Sequence, residues 1–428
     1  MIDTLREWLP RIEATAHDLR LDPGEVEFRV VPAPLLYEVT AYGGLGGYSH
    51  WSRGRDYWIT KQRLERGAGR IYEVVFPGTP PLAYLLDGNT LAAQILVMAH
   101  VLGHTHLFRH HVLGAAADWA QVQAAARHRF AEYERRWGAE RVERTLDAAL
   151  AIRDQCAEDP PLKPDPAPTE PHPYEHLWPS RPWPQPKPPP RYRLPTSDLI
   201  GFLARESPVL EDWQRDILLV VRQEGLMRAK MWPIKTIHES FAAWTHREIL
   251  RRLTLPDQEA VEAMAVHARV VAPDPLALNP YSLYPLLDQL VAEVGTARAI
   301  QIWQEETDAS LVRTWLTRDR WEACRLYGYR WESGETADVA VRLAYADDDD
   351  WAAWRNALAD ALAVGPPEVR VVDVGPDYQL RLMVPRTVPP LDRDWARLAC
   401  QAVARLWGAG VRLETPDWTE TVAARERI

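Results

Sequence analysis

The chain has 428 residues, 46% hydrophobic and 26% charged, which is globular composition with room for two or three domains. Its 50 Lys and Arg against 60 Asp and Glu leave a net charge of -10. Bulk electrostatics therefore exclude a nucleic-acid partner, because neutralising phosphate is what drives that binding. Cys156, Cys324 and Cys400 are odd in number, far apart and without a CxxC, which excludes a disulfide framework and a cysteine-ligated zinc knuckle and fits a reducing, cytoplasmic setting.

In chain order, residues 3–20 carry apolar positions at helical spacing, with charges in every turn. That stretch reads as neither a signal segment nor an anchor, and no run later in the chain approaches the roughly 18 apolar residues of a membrane span. Val26–Val31 and Leu35–Tyr42 read as strands. The glycine-rich loop GGLGGYSHWSRGR (43–55) follows, without the spacing of a phosphate loop. His50, Trp51 and Arg53 in this loop are candidate pocket residues. IYEVVF (71–76) reads as a further strand, Leu91–His111 as a helix buried on most sides, and 118–155 as one long amphipathic helix or a pair.

Residues 160–195 hold 15 of the 36 prolines, a density no packed helix or sheet survives. The stretch reads as a polyproline-type segment wrapping the surface, with Trp178 or Trp183 partly buried. Helices resume over 198–205, 209–229, 233–252, 256–267 and 282–315. Strands are expected at 338–345, 368–374, 377–384 and 410–414, with helices at 349–363 and 391–406. That order is the βαββαβ of a ferredoxin-like domain, with two helices on one face of a four-stranded antiparallel sheet. The domain division read from these changes of character is 1–157, 158–196, 197–333 and 334–428. The 19 Trp against 6 Phe mark Trp as the usual large core aromatic.

Chemistry concentrates in two helical stretches. MAHVLGHTHLFRHH presents His100 and His104 four residues apart, hence one turn apart on one face, as in helices that offer two imidazoles to one zinc. An imidazole on an apolar helix needs a partner, and a metal is an efficient one. His106 points elsewhere, and His110 and His111 read as helix-end histidines facing solvent. IKTIHESFAAWTHREIL (234–250) places Glu239 and His246 on one apolar face. Two histidines from one helix and a glutamate from another form a known zinc set, here His100, His104 and Glu239. His246 is either a further ligand or a donor orienting Glu239. His267 either approaches the same cavity or is a satisfied core histidine. The general base of HExxH is missing, since that position is Val101. Glu224 is the first candidate to replace it, with Glu38 behind, against the alternative that Glu224 forms an ordinary salt bridge.

These motifs sit in stretches that resemble the stage V sporulation protein R (SpoVR) family. They are YEVTAYG with HWSRG (37–54), IYEVV with AYLLDGNTLAAQILVMAHVLGH (71–104), LEDWQRDILLVVRQE (210–224), IKTIHESFAAWTH (234–246), VVAPDPLALNPYSL (270–283) and LWGAGVRLE (406–414). The family's second helix reads NEGWASYWH, similar to the NEGFA element that carries a ligand glutamate in zinc aminopeptidases. Here the glutamate is kept as Glu239 and both neighbours differ, as His238 and Ser240. The family also favours Asp and paired Asn where this chain has His106, His110 and His111. The resemblance implies a role in sporulation linked to spore-cortex peptidoglycan. With the motifs, it gives an α+β, predominantly helical chain: a zincin-like helical core with a small N-terminal sheet, plus the C-terminal ferredoxin-like domain. The expected cofactor is a divalent metal, zinc first. Two functions stay open, action on a peptide or cell-wall precursor, and a non-catalytic regulator that binds a protein partner and holds a structural metal.

Overall fold

A computed structural model describes residues 2–42, 47–66, 73–114, 119–158, 192–272, 279–324, 329–332, 339–342, 348–363, 365–386 and 390–423. These residues are mostly helical, with small sheets. The first part runs α1 (Ile2–Asp18), β1 (Glu27–Val31), α2 (Ala33–Tyr42), α3 (Trp51–Glu65), β2 (Glu73–Phe76), β3 (Leu82–Leu86), α4 (Leu91–His110), α5 (Trp119–Trp137) and α6 (Ala139–Ala151). Next come α7 (Leu199–Glu206), α8 (Asp212–Met231), α9 (Lys235–Arg252), α10 (Asp257–Val270), α11 (Tyr284–Val294), α12 (Thr296–Glu305), α13 (Asp308–Trp315) and α14 (Arg318–Cys324). The last part is β4 (Tyr329–Glu332), β5 (Val339–Arg342), α15 (Asp348–Leu362), β6 (Arg370–Val374), β7 (Leu380–Met383), α16 (Arg393–Trp407), β8 (Val411–Glu414) and β9 (Thr419–Val422).

The chain gathers into two compact units, each drawn from two stretches: 1–136 with 227–365, and 137–226 with 366–428. This grouping does not follow the sequential division at 157, 196 and 333. Composition marks where a chain changes character, whereas a unit is set by which apolar faces meet. The proline-rich stretch, with Trp178 and Trp183, lies outside the described residues.

In the first unit α4 is the central element, buried continuously from Ala92 to Leu107. Among the described residues it is the one helix long and apolar enough to cross a membrane, and most of it is enclosed by protein. Its N-terminus is capped by Thr90, whose side chain accepts from the Ala93 N–H at 3.3 Å, and Gln94 Nε2 donates to the Leu86 carbonyl at the end of β3 at 2.8 Å. The small sheet has the order β1-β3-β2, with β1 parallel and β2 antiparallel to β3. α9 packs along α4, burying Ile237, Phe241 and Trp244 in the same core. At their closest approach stands Gly103, where an added Cβ would meet the Ala242 Cα at 2.7 Å. The N-terminus of α9 is fixed by buried Asp308, whose Oδ2 and Oδ1 accept from the Thr236 and Ile237 N–H groups, each at 2.8 Å.

Several expectations need correction. Leu35–Tyr42 is helical, part of α2, with Leu36 and Val39 packed beside Val31 and Tyr84. Its short apolar run fits either period, and Pro34 at the first turn favours the helix. The glycine-rich stretch gives way to α3 at Trp51, with His50 as N-cap. The span 282–315 is three helices: it breaks at Gly295, whose φ is +80, and at Thr307, which forms a capping box with Ser310.

Among the described residues the expected ferredoxin-like arrangement is not the one observed. β5 pairs antiparallel with β4 in a two-stranded sheet. The second unit instead holds a sheet of order β6-β7-β8-β9, in which β7 and β8 are parallel and the outer pairs antiparallel. Alternation in 338–345 marks a strand without naming its partner, and β9 escaped because its TETV is polar. α16 covers this sheet, burying Val403, Leu406 and Trp407.

Asp308→Ala removes the acceptor for two N–H groups that no water reaches. The expected cost is about 1–2 kcal/mol of stability, read by chemical denaturation, with Asp308→Asn losing less because it keeps one acceptor.

Candidate metal centre

α4 and α9 are buried along most of their length, so His100 and His104 on the one and His238 and His246 on the other are inside the protein. His100 is 4% and His104 7% exposed, and their Nε2 atoms lie 3.1 Å apart. Glu239 Oε2 comes from α9 to 3.9 Å from His100 Nε2 and 3.8 Å from His104 Nε2. All three ligand atoms fall within 4.8 Å of one another. Two ligands on one tetrahedral zinc, each about 2.0–2.1 Å from it, stand about 3.3 Å apart. The imidazole pair is at that separation, and the carboxylate requires a small closure.

Further imidazoles stand behind the pair. His246 Nδ1 is 3.0 Å from His100 Nδ1, and His238 Nδ1 is 3.4 Å from His104 Nδ1. His267 Nδ1 then lies 2.7 Å from His246 Nε2. Burial pushes all five imidazoles below their ordinary range, His267 to about 4, so each is neutral at pH 7. Neutral imidazole is the ligating form. If His100 and His104 offer Nε2 toward Glu239, their Nδ1 atoms carry the protons and donate outward. His246 then accepts at Nδ1 and donates from Nε2 to His267. This is how a ligating imidazole is held in one tautomer and one orientation.

Two more groups complete the surroundings. Glu73, the first residue of β2, brings Oε1 to 3.8 Å from His100 Nε2. Burial, with the Glu239 carboxylate facing it, pushes the Glu73 carboxyl up to about 8. The Tyr281 ring is 6.0 Å from that of His100, and its hydroxyl bonds Glu239. Burial and the two carboxylates hold this phenol well above its ordinary range. Its segment is pinned by Asn279, which accepts from the Tyr281 N–H at 3.0 Å, and by Ser240 Oγ, which donates to the Pro280 carbonyl at 2.8 Å.

The structure thus brings His100, His104 and Glu239 together. His246 is beside His100 rather than beside Glu239, and His267 beyond it lines a cavity of about 310 Å³ with Val271, Ser282, Tyr284 and Cys324. Glu224 belongs to the other unit, where it pairs with Arg153 Nη1 at 3.1 Å. His50 caps α3, Arg53 lies over the Tyr48 ring at 5.5 Å, and Trp51 is half exposed beneath Arg55. His111 is buried rather than facing solvent: its Nε2 donates to the Glu306 carbonyl at 2.9 Å. His106 Nδ1 accepts from the Asp22 N–H at 2.9 Å, and His110 meets the Asp22 carboxylate at 3.0 Å. Sequence reasoning missed Glu73, His238 and Tyr281. Glu73 had a signal, an acid inside an otherwise apolar strand. His238 was visible as a second polar neighbour of Glu239, while nothing local distinguished Tyr281.

A family profile described as "SpoVR like protein" matches residues 1–366. The chain belongs to the SpoVR-like family. The matched span contains every residue of the candidate centre, whereas the β6–β9 sheet lies beyond it. A relative in Escherichia coli (strain K12), the uncharacterized protein YcgB, is 24% identical over 487 residues, covering 99% of this chain and 94% of its own. No solved structure matches the chain.

Gly103→Ala should push α4 and α9 apart, because the obstacle is backbone and cannot rotate away. The expected loss is about 1–3 kcal/mol of stability together with weaker metal binding. Val101 is fully enclosed in the core, so Val101→Glu does not restore a base. It buries an unpaired carboxylate and should lower the melting temperature sharply, at a cost on the order of 3 kcal/mol; an unchanged melting temperature would refute this placement.

Proposed function

We propose that this SpoVR-like protein is a metal-binding, zincin-like protein with a sporulation-linked role, acting on a peptide or cell-wall precursor during formation of cortex peptidoglycan. The convergence of His100, His104 and Glu239 between two core helices carries the reading. The donor set suits zinc, with two imidazoles that burial keeps neutral and one carboxylate. A buried cluster holding carboxylates, with no lysine or arginine paired to them among the described residues, also favours a dication.

When bound, the ion would supply Lewis acidity toward a carbonyl or a water. The chain's own groups supply the rest. His246 and His238 fix the orientation of the inner imidazoles, and the closed apolar walls of α4 and α9 keep bulk water away from them. Tyr281, its proton secured by burial and by its acidic neighbours, bonds Glu239 and holds that carboxylate in place. The cytoplasm suits three cysteines that are unpaired and whose thiols burial pushes up to about 11 or 12.

A second reading is favoured by Val101, which occupies the position of the usual base. On that reading the metal is structural and the protein a regulator with a protein partner. Cleavage of muropeptides or peptides by the metal-loaded protein supports the first reading, and its absence with metal retained supports the second.

Metal analysis of protein purified without a histidine tag is the experiment both readings need. About one zinc per chain is expected, with His104→Ala abolishing it and His110→Ala leaving it intact. Equal retention of metal by the two variants would sink the assignment.

A further inference from the structure

We propose that Glu73 is a metal-holding residue, supplying from strand β2 a second carboxylate and making the centre a two-histidine, two-carboxylate site. The proposal rests on the metal-binding reading above and extends its ligand set to a third element of the fold.

Geometry is the first argument. Glu73 Oε1 stands 3.8 Å from His100 Nε2, as near as Glu239 Oε2 at 3.9 Å. Both carboxylates face the nitrogen that His100 turns away from His246, since His246 takes the other nitrogen. Glu73 opens its strand, opposite Leu85 of β3, at a point where the sheet meets α4. Glu73 is outside the set of ligand atoms that lie within 4.8 Å of one another, so it reaches the ion only when β2 closes toward α4.

Charge is the second argument. Acids in this fold usually find a cation: Asp288 has Arg247, Asp22 has Arg109, and Asp198 has Arg222. Glu73 has neutral imidazoles and another carboxylate. Among the described residues no lysine or arginine pairs with it, and its ion-pair neighbour is His100. A largely enclosed acid in that position is costly unless it is protonated or a cation arrives. A dication between His100, His104 and Glu239 would supply the missing charge to both carboxylates at once.

The test uses the full-length chain, titrated with zinc and, for its visible spectrum, with cobalt(II). Glu73→Gln keeps the shape and removes the charge. Zinc affinity should fall at least tenfold to a hundredfold, and the cobalt(II) bands should shift as an oxygen donor is lost. The metal-free melting temperatures should show the opposite order, Glu73→Gln being at least as stable as the wild type, because Gln puts no ionisable group beside Glu239. Zinc should reverse that order. Should Glu73→Gln fail to fold, Glu73→Asp, which retains the charge and withdraws the oxygen by one methylene, should weaken binding in the same direction. A folded Glu73→Gln protein with wild-type zinc affinity and an unchanged cobalt(II) spectrum overturns the proposal. If His104→Ala abolishes binding in that same series, only the role of Glu73 falls. If the wild type binds neither ion, the metal-binding reading falls with it.

Discussion

Helices α4 and α9 approach each other at Gly103, where there is no room for even a methyl group against the Ala242 backbone. An imidazole and a carboxylate have short side chains, so they meet only when their backbones are close. Here the closeness lets His100 and His104 reach Glu239, and sets His246 and His238 directly behind them. The flanking layers serve the same end. Asp308 anchors the start of α9, Gln94 ties α4 to the sheet, and Ser240 holds the segment that carries Tyr281. Burying Phe241, Trp244 and Trp303 beside the pair stabilises the arrangement by roughly 1.5–3 kcal/mol for each large side chain.

Burial is also what gives this centre its electrostatic character. In water a histidine is partly charged near neutrality, and a row of five would repel. Inside this core desolvation keeps each ring neutral, and neighbouring rings relate as donor and acceptor. The same desolvation acts against Glu73, which it drives toward the protonated form. Neutral imidazoles beside carboxylates make an environment that, among the described residues, is short of positive charge, which the proposed divalent cation would correct.

Much of this was legible from residue spacing. The four-residue interval in α4 and the acid on an apolar face of α9 identified three groups that the fold brings within reach of one ion. The helices themselves followed from apolar periodicity, and the excess of Trp over Phe reappears as the buried Trp244, Trp303 and Trp407. Strand partners were not legible. The alternation of β5 is real, but period two carries no address, and its pairing with β4 had to be seen. α2 was missed because eight residues rich in Leu, Val and Tyr satisfy both periods. Glu224 looked available for chemistry because its position on a helix says nothing about Arg153, some seventy residues away in sequence. Glu73 was overlooked for the converse reason: the acid was visible in its strand, while the void in positive charge around it exists only in three dimensions.

The central claim is that α4 and α9 hold a single divalent ion through two imidazoles and carboxylate oxygen. X-ray absorption at the zinc edge of the full-length protein, isolated without a tag, tests it most directly. The account predicts a first shell of nitrogen and oxygen at about 2.0–2.2 Å, the multiple-scattering signature of two imidazoles, and no sulfur. A shell containing sulfur near 2.3 Å, or one without imidazole scattering, would contradict it.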